Sequence, residues 1–141
     1  MTAEEYNLRY AFFQDITGRA MQVHTEYNGG LLESAYEAAL TYLLTQDGYQ
    51  VERQVFLPIY WKEVKLNQNY RMDLVINHEV IIELKAMNFT GLEHRKQLWN
   101  YMNLTHMPFG MLINFSPRGL YSEWYHRHQN GEMEQIKVRK E

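Results

Sequence analysis

The segment Val80-Ile81-Ile82-Glu83-Leu84-Lys85 starts as a strand that is apolar on both faces and ends in two charges. Alternation along a strand sets Glu83 and Lys85 on one face, about 7 Å apart, with Leu84 directed to the other. An acid and an ammonium group are thereby held rigidly at one spot. The preceding strand, Arg71-Met72-Asp73-Leu74-Val75-Ile76, carries a single acid where strand propensity disfavours one. If Asp73 pairs across the hairpin with Glu83, both carboxylates share a face and can grip one hard divalent cation through oxygen ligands. That register needs three residues, 77 to 79, in the turn. A two-residue turn at Asn77-His78 would instead pair Asp73 with Ile82 and set the acids on opposite faces, unless a bulge intervenes.

Glu33 and Glu37 lie four apart in the next candidate segment and so share one helical ridge. At 100° per residue Glu33 falls between Leu40 and Leu44, half-buried at the border of an apolar arc formed by Leu32, Tyr36, Ala39 and Leu43. Gln97 and Tyr101 are likewise four apart, with His94 on the same side and Leu92, Trp99 and Met102 on the opposite arc. That polar ridge can aim an amide and a phenol at a phosphate or an attacking water. His126-x-His128 resembles half of a transition-metal site, but a pair of histidines on an exposed strand is ordinary polar surface and is given no role.

These residues must be positioned by the elements around them. Leu8, Phe12, Ile16, Ala20, Val23 and Tyr27 recur at helical spacing and predict a helix from about Tyr6 to Tyr27, stopped by Asn28-Gly29-Gly30. A second helix is expected from Leu31 to Gln46. Strands follow over Gln50 to Trp61, Tyr70 to Ile76 and Val80 to Ala86, an antiparallel meander. Gly91 to Thr105 reads as a helix and Pro108 to Phe115 as a strand, so that strand, helix and strand make a right-handed crossover. A final hairpin, Leu120 to Arg127 and Glu132 to Val138, turns at Gln129-Asn130-Gly131, and its aromatics Tyr121, Trp124 and Tyr125 are read as packing. The fold class is an α/β sandwich with a mixed sheet.

The 141 residues, 45% hydrophobic and 22% charged, leave room for one domain over residues 1–141. The absence of cysteine excludes disulfides, thiolate metal sites and cysteine nucleophiles, and fits a cytoplasmic setting. No apolar run reaches the roughly 18 residues a membrane helix needs, and the acidic start Met1-Thr2-Ala3-Glu4-Glu5 is unlike a signal peptide. Net charge is −3, so a general basic footprint is lacking, but five of the six histidines and most of the bases lie in the second half, where a polyanion would be met.

Taken together, four motifs in order resemble the GxxExxY family of small bacterial and archaeal proteins within the PD-(D/E)XK nuclease superfamily. Gly30-Leu31-Leu32-Glu33-Ser34-Ala35-Tyr36 matches the naming motif. Asp73 followed by Glu83-Leu84-Lys85 is similar to the metal-binding core, Gln97-x-x-x-Tyr101 to the Gln-x-x-x-Tyr element of RecB-like members, and Leu112-Ile113-Asn114-Phe115 to the strand that closes the core. The likeness covers roughly residues 10 to 118, with Met72 in place of the superfamily's proline. It implies a restriction-endonuclease-like core of helix, three-stranded meander, crossover helix and strand, with an extra N-terminal helix and a C-terminal hairpin. It also implies a metal-dependent nuclease: Asp73, Glu83 and the main-chain carbonyl of Leu84 on Mg²⁺ or Mn²⁺, with Glu33 joining directly or through water. Lys85 would orient the attacking water, and Gln97 and Tyr101 would steady a nucleic-acid backbone, of DNA in the first instance. The alternative is a nucleic-acid-binding or regulatory protein that keeps the fold without turnover. No membrane partner is implied, and homo-oligomerisation is left open, as are the roles of Glu37 and the C-terminal hairpin.

Overall fold

The computed structural model describes residues 1–138. Helix α1 (Ala3–Tyr27) begins three residues before the expected Tyr6, because Thr2 and Glu5 close a reciprocal cap. The Thr2 hydroxyl accepts from the Glu5 N–H, and the Glu5 carboxylate accepts from the Thr2 N–H. Phe13, Ile16, Ala20 and Val23 form its buried stripe. The helix ends at Asn28, left-handed at φ 55°. Gly29 follows with φ +81°, and a Cβ there would lie 2.8 Å from the Pro117 Cα, so the turn needs glycine on two counts.

Helix α2 (Glu33–Gln46) buries Tyr36, Glu37, Leu40 and Leu44. This differs from the expected arc. Leu32 is the N-cap and 78% exposed, and the buried stripe is rotated so that Glu37, rather than Glu33, faces inward. The Tyr36 ring stacks on Phe115 at 4.3 Å, and its hydroxyl accepts from the Leu31 N–H. The tyrosine of the Gly30-x-x-Glu33-x-x-Tyr36 segment thus fixes the turn from which Glu33 projects.

The sheet is formed by β1 (Val51–Trp61), β2 (Val64–Ile76), β3 (Val80–Lys85), β4 (Phe109–Ser116), β5 (Gly119–Arg127) and β6 (Met133–Ile136), in spatial order of sequence. Among the described residues, only β3 and β4 pair in parallel, connected through α3 (Leu92–Thr105), and all other neighbours are antiparallel. All eight residues of β4 are buried, as suits a strand covered on both faces. One core joins α1 and α2 to Leu74, Ile82, Leu84 and Ile113. A second joins Leu98, Tyr101 and Met102 of α3 to Val75, Ile81 and Leu112. Helices therefore cover both faces of a mixed sheet, so the expected α/β sandwich has three layers.

Two strand boundaries also differ. β2 begins at Val64, six residues before the expected Tyr70, and pairs with β1 as far as Trp61↔Val64, so the two form a long hairpin. Residues 60–71 are all exposed. A strand wet on both sides has no apolar alternation to betray it, and cross-strand hydrogen bonds hold it instead. β6 is shorter than expected, and the last residues of the chain, beyond Val138, lie outside the described residues. In the terminal hairpin Trp124 and Tyr125 are buried and Tyr121 is exposed.

Candidate functional site

The β2–β3 register decides whether two acids can cooperate. Ile76 pairs with Val80, Val75 with Ile81 and Leu74 with Ile82, across a three-residue turn containing Asn77 and His78, both at positive φ. Beyond Leu74↔Ile82 the ladder gives way to bonds between side chains and backbone, which bring the Asp73 and Glu83 carboxyls together. The two cross-link the strands: Glu83 Oε1 accepts from the Asp73 N–H at 3.1 Å, and Asp73 Oδ2 accepts from the Leu84 N–H at 2.8 Å. Leu84, whose carbonyl the family resemblance assigns to the metal, thereby anchors Asp73 while its side chain fills the first core.

Glu83 is 2% exposed. Burial first, and the neighbouring Asp73 carboxylate second, push its pKa up to about 8. Lys85 is half-buried, and its charge is felt by both Glu83 and Glu33. Glu33 occupies the first turn of α2 on the surface. Partial burial of its carboxyl raises its pKa, Lys85 opposes that rise, and Asp73 adds to it. The acid on the helix and the acids on the sheet therefore act on one another.

Tyr101 lies at the same place. The expected polar ridge of α3 is rotated: Tyr101 is buried with Leu98 and Met102, while Leu92 is 52% exposed. Burial and then the Glu83 carboxylate hold the Tyr101 phenol above its ordinary value, and Gln97, on the exposed side, donates to its oxygen at 2.9 Å. The structure thus brings Glu33, Asp73, Glu83, Lys85, Gln97 and Tyr101 to one corner. His94 is engaged at the head of α3, where its Nδ1 accepts from the Gly91 N–H.

Two residues at this corner lie beyond the expected set. Gln54 sits in β1 at the step between Arg53↔Leu74 and Val55↔Met72, opposite Asp73, with a left-handed backbone at φ 51°. Its amide donates to Glu37 Oε1 at 2.6 Å and, at a long 3.5 Å, to Asp73 Oδ1. Arg53 grips the other Glu37 oxygen at 3.0 and 3.1 Å. Consecutive strand residues normally point to opposite faces. Here the positive φ lets both reach one carboxylate. Three polar residues in a row, Glu52-Arg53-Gln54, inside an otherwise apolar strand are the signal for that irregularity.

The donors around Asp73 and Glu83 are all oxygens, and two carboxylates share a poorly solvated place with one ammonium group. That set fits a hard divalent cation, which would offset both the burial and the carboxylate repulsion that raise the Glu83 pKa.

Among known proteins, the PD-(D/E)XK nuclease superfamily matches residues 11–127 of the chain. A solved crystal structure of SSO0001 is similar in fold, with a TM-score of 0.52 over 64% of this chain and 48% of that one at 20% identity. The chain therefore spans about half the length of that structure. No curated protein matches the chain.

Proposed function

The chain belongs to the PD-(D/E)XK nuclease superfamily, and from that premise we propose that it is a Mg²⁺-dependent nuclease of the GxxExxY type, hydrolysing phosphodiester bonds of DNA. The cross-linking of Asp73 and Glu83 carries this reading, since it holds two carboxylates together as oxygen ligands with the Lys85 charge acting on the same place. Asp73, Glu83, Glu33 and the Leu84 carbonyl hold the cation, or Mn²⁺ in its place. When bound, the ion supplies Lewis-acid polarisation of a phosphate oxygen and favours deprotonation of water.

The chain's own groups do the remainder. Lys85 directs the attacking water and offsets charge that develops on the phosphate. Gln97 and Tyr101 hold the backbone of the nucleic acid, with the amide fixing the phenol's orientation. The buried Tyr101 and the second core exclude water from one side. Further contact with the polymer comes from the β1–β2 hairpin, where exposed Phe56, Tyr60 and Trp61 stand beside Lys62, Lys65 and Arg71. Aromatic faces interleaved with cations suit bases and phosphates.

The test is incubation of the purified protein with plasmid and with single-stranded DNA, with and without Mg²⁺ or Mn²⁺, beside Asp73→Ala and Lys85→Ala. Metal-dependent cleavage that disappears in both variants supports the nuclease. Binding without cleavage that is insensitive to Lys85→Ala overturns it in favour of a non-catalytic nucleic-acid-binding protein.

A further inference from the structure

On the far side of the sheet from β1, the terminal hairpin aligns three ligand-bearing side chains. His126 of β5 is paired directly with Glu134 of β6, and His128 follows immediately after the end of β5 with its N–H on the Glu132 carbonyl. Residues 126, 128 and 134 therefore share one face. His126 Nδ1 is 4.0 Å and His128 Nε2 3.2 Å from the same Glu134 oxygen, and all the potential ligand atoms lie within 4.8 Å of one another. A tetrahedral ion with bonds of about 2.0 Å spaces its ligands roughly 3.3 Å apart. Small side-chain rotations close the difference. The His126 ring is already fixed, stacked on Phe109 at 5.1 Å between centroids. The group opens onto a recess of about 480 Å³ bounded by Thr2, Ala3 and Tyr6, which leaves space for a fourth ligand.

We propose that His126, His128 and Glu134 form a Zn²⁺ site that ties β6 to β5, separate from the oxygen-lined corner at Asp73 and Glu83. Two imidazoles with one carboxylate suit a borderline ion and disfavour Mg²⁺, which takes oxygen ligands. The two sites thus sort their metals by donor chemistry. The clip would add to the single ladder with β5 and to the packing of Ile136 and Met133, which hold the four residues of β6 in place.

The experiment is a Zn²⁺ titration of the full chain against a chromophoric chelator in excess Mg²⁺, which occupies the oxygen-lined site. Co²⁺ replaces Zn²⁺ in a parallel series as a spectroscopic probe of four-coordinate geometry. His128→Gln and Glu134→Gln are the variants, since His128 is half-buried and Glu134 exposed and neither belongs to a core cluster. One equivalent bound by the wild type, a fall in affinity of at least about tenfold in both variants, and retention of binding in Asp73→Ala support the site. No binding by the wild type, a smaller fall in either variant, or loss in Asp73→Ala overturns it.

Discussion

Glu37 on α2 and Glu83 on β3 are both buried, at 5% and 2% exposure, yet their surroundings are opposite in kind. Glu37 has both oxygens satisfied: Arg53 holds one through two nitrogens and Gln54 holds the other. Its charge is cancelled within the protein. Glu83 receives a single backbone N–H from Asp73, and its immediate electrostatic neighbour is that residue's own carboxylate, with Lys85 a weaker offset. One glutamate closes a structural bridge between a helix and an edge strand. The other sits beside a like charge in a dry place, an arrangement that costs stability unless a cation or a proton completes it. Burial alone does not distinguish a functional acid from a structural one; the sign of what faces it does.

The largest effect should come from exchanging the two charges for amides. Glu83→Gln keeps the shape but removes a ligand, and Mg²⁺-dependent cleavage is expected to fall by at least about 100-fold. Glu37→Gln should leave cleavage within about tenfold of wild type while lowering stability by roughly 1–3 kcal/mol, because Arg53 loses its charged partner. Steady-state cleavage beside urea unfolding reads both. An inverted pattern, with activity lost at Glu37 and stability lost at Glu83, breaks the contrast.

The next effect is one of pH. The folded-state pKa of Glu83, about 8, lies above its unfolded value near 4.5, so the folded chain binds the proton more tightly than the unfolded chain. The stabilisation from the protonated form is fully present below the unfolded value and is lost as pH rises through the folded one. With metal removed by chelation, unfolding free energy should decline between about pH 5 and 8, at no more than roughly 1.4 kcal/mol per pH unit from this group. Glu83→Gln should flatten that decline. Added Mg²⁺ should restore stability at pH 8 and release protons near neutrality, measurable by calorimetry in buffers of differing ionisation heat.

Much of this contrast was legible beforehand on one side only. Asp73 and the Glu83-x-Lys85 pair stand out because charges interrupt strands that are otherwise apolar, whereas the choice between a two- and a three-residue turn at Asn77-His78-Glu79 was settled only by the register. The partner of Glu37 was hidden, since a guanidinium and an amide from consecutive strand residues reach one carboxylate only through a backbone irregularity, which periodicity cannot show. Helix faces were displaced for a related reason. In α2 and α3 polar residues occupy buried positions, Glu37 in one and Tyr101 in the other, so arcs drawn through apolar residues alone pointed the wrong way. The outer part of the β1–β2 hairpin escaped because residues 60–71 are exposed on both faces, and Glu134 was missed as a neighbour of His126 because pairing across a hairpin joins residues eight apart.

The smallest and sharpest test falls on Gln54, which links the two glutamates' regions by touching Glu37 and Asp73. A non-glycine residue at φ 51° carries a conformational cost of about 1–2 kcal/mol. Gln54→Ala loses both side-chain bonds and keeps the cost, whereas Gln54→Gly loses the same bonds and relieves it. In a regular strand glycine is less stable than alanine by roughly 0.5–1 kcal/mol. Here the order should invert, with the glycine variant more stable than the alanine variant by about 1 kcal/mol in urea unfolding. The usual order would mean that Gln54 imposes no strained bridge, and that Glu37 and Asp73 are independent of one another. With the inverted order, both variants should also lose up to about tenfold in cleavage, because Asp73 then keeps its Leu84 anchor but not its second support.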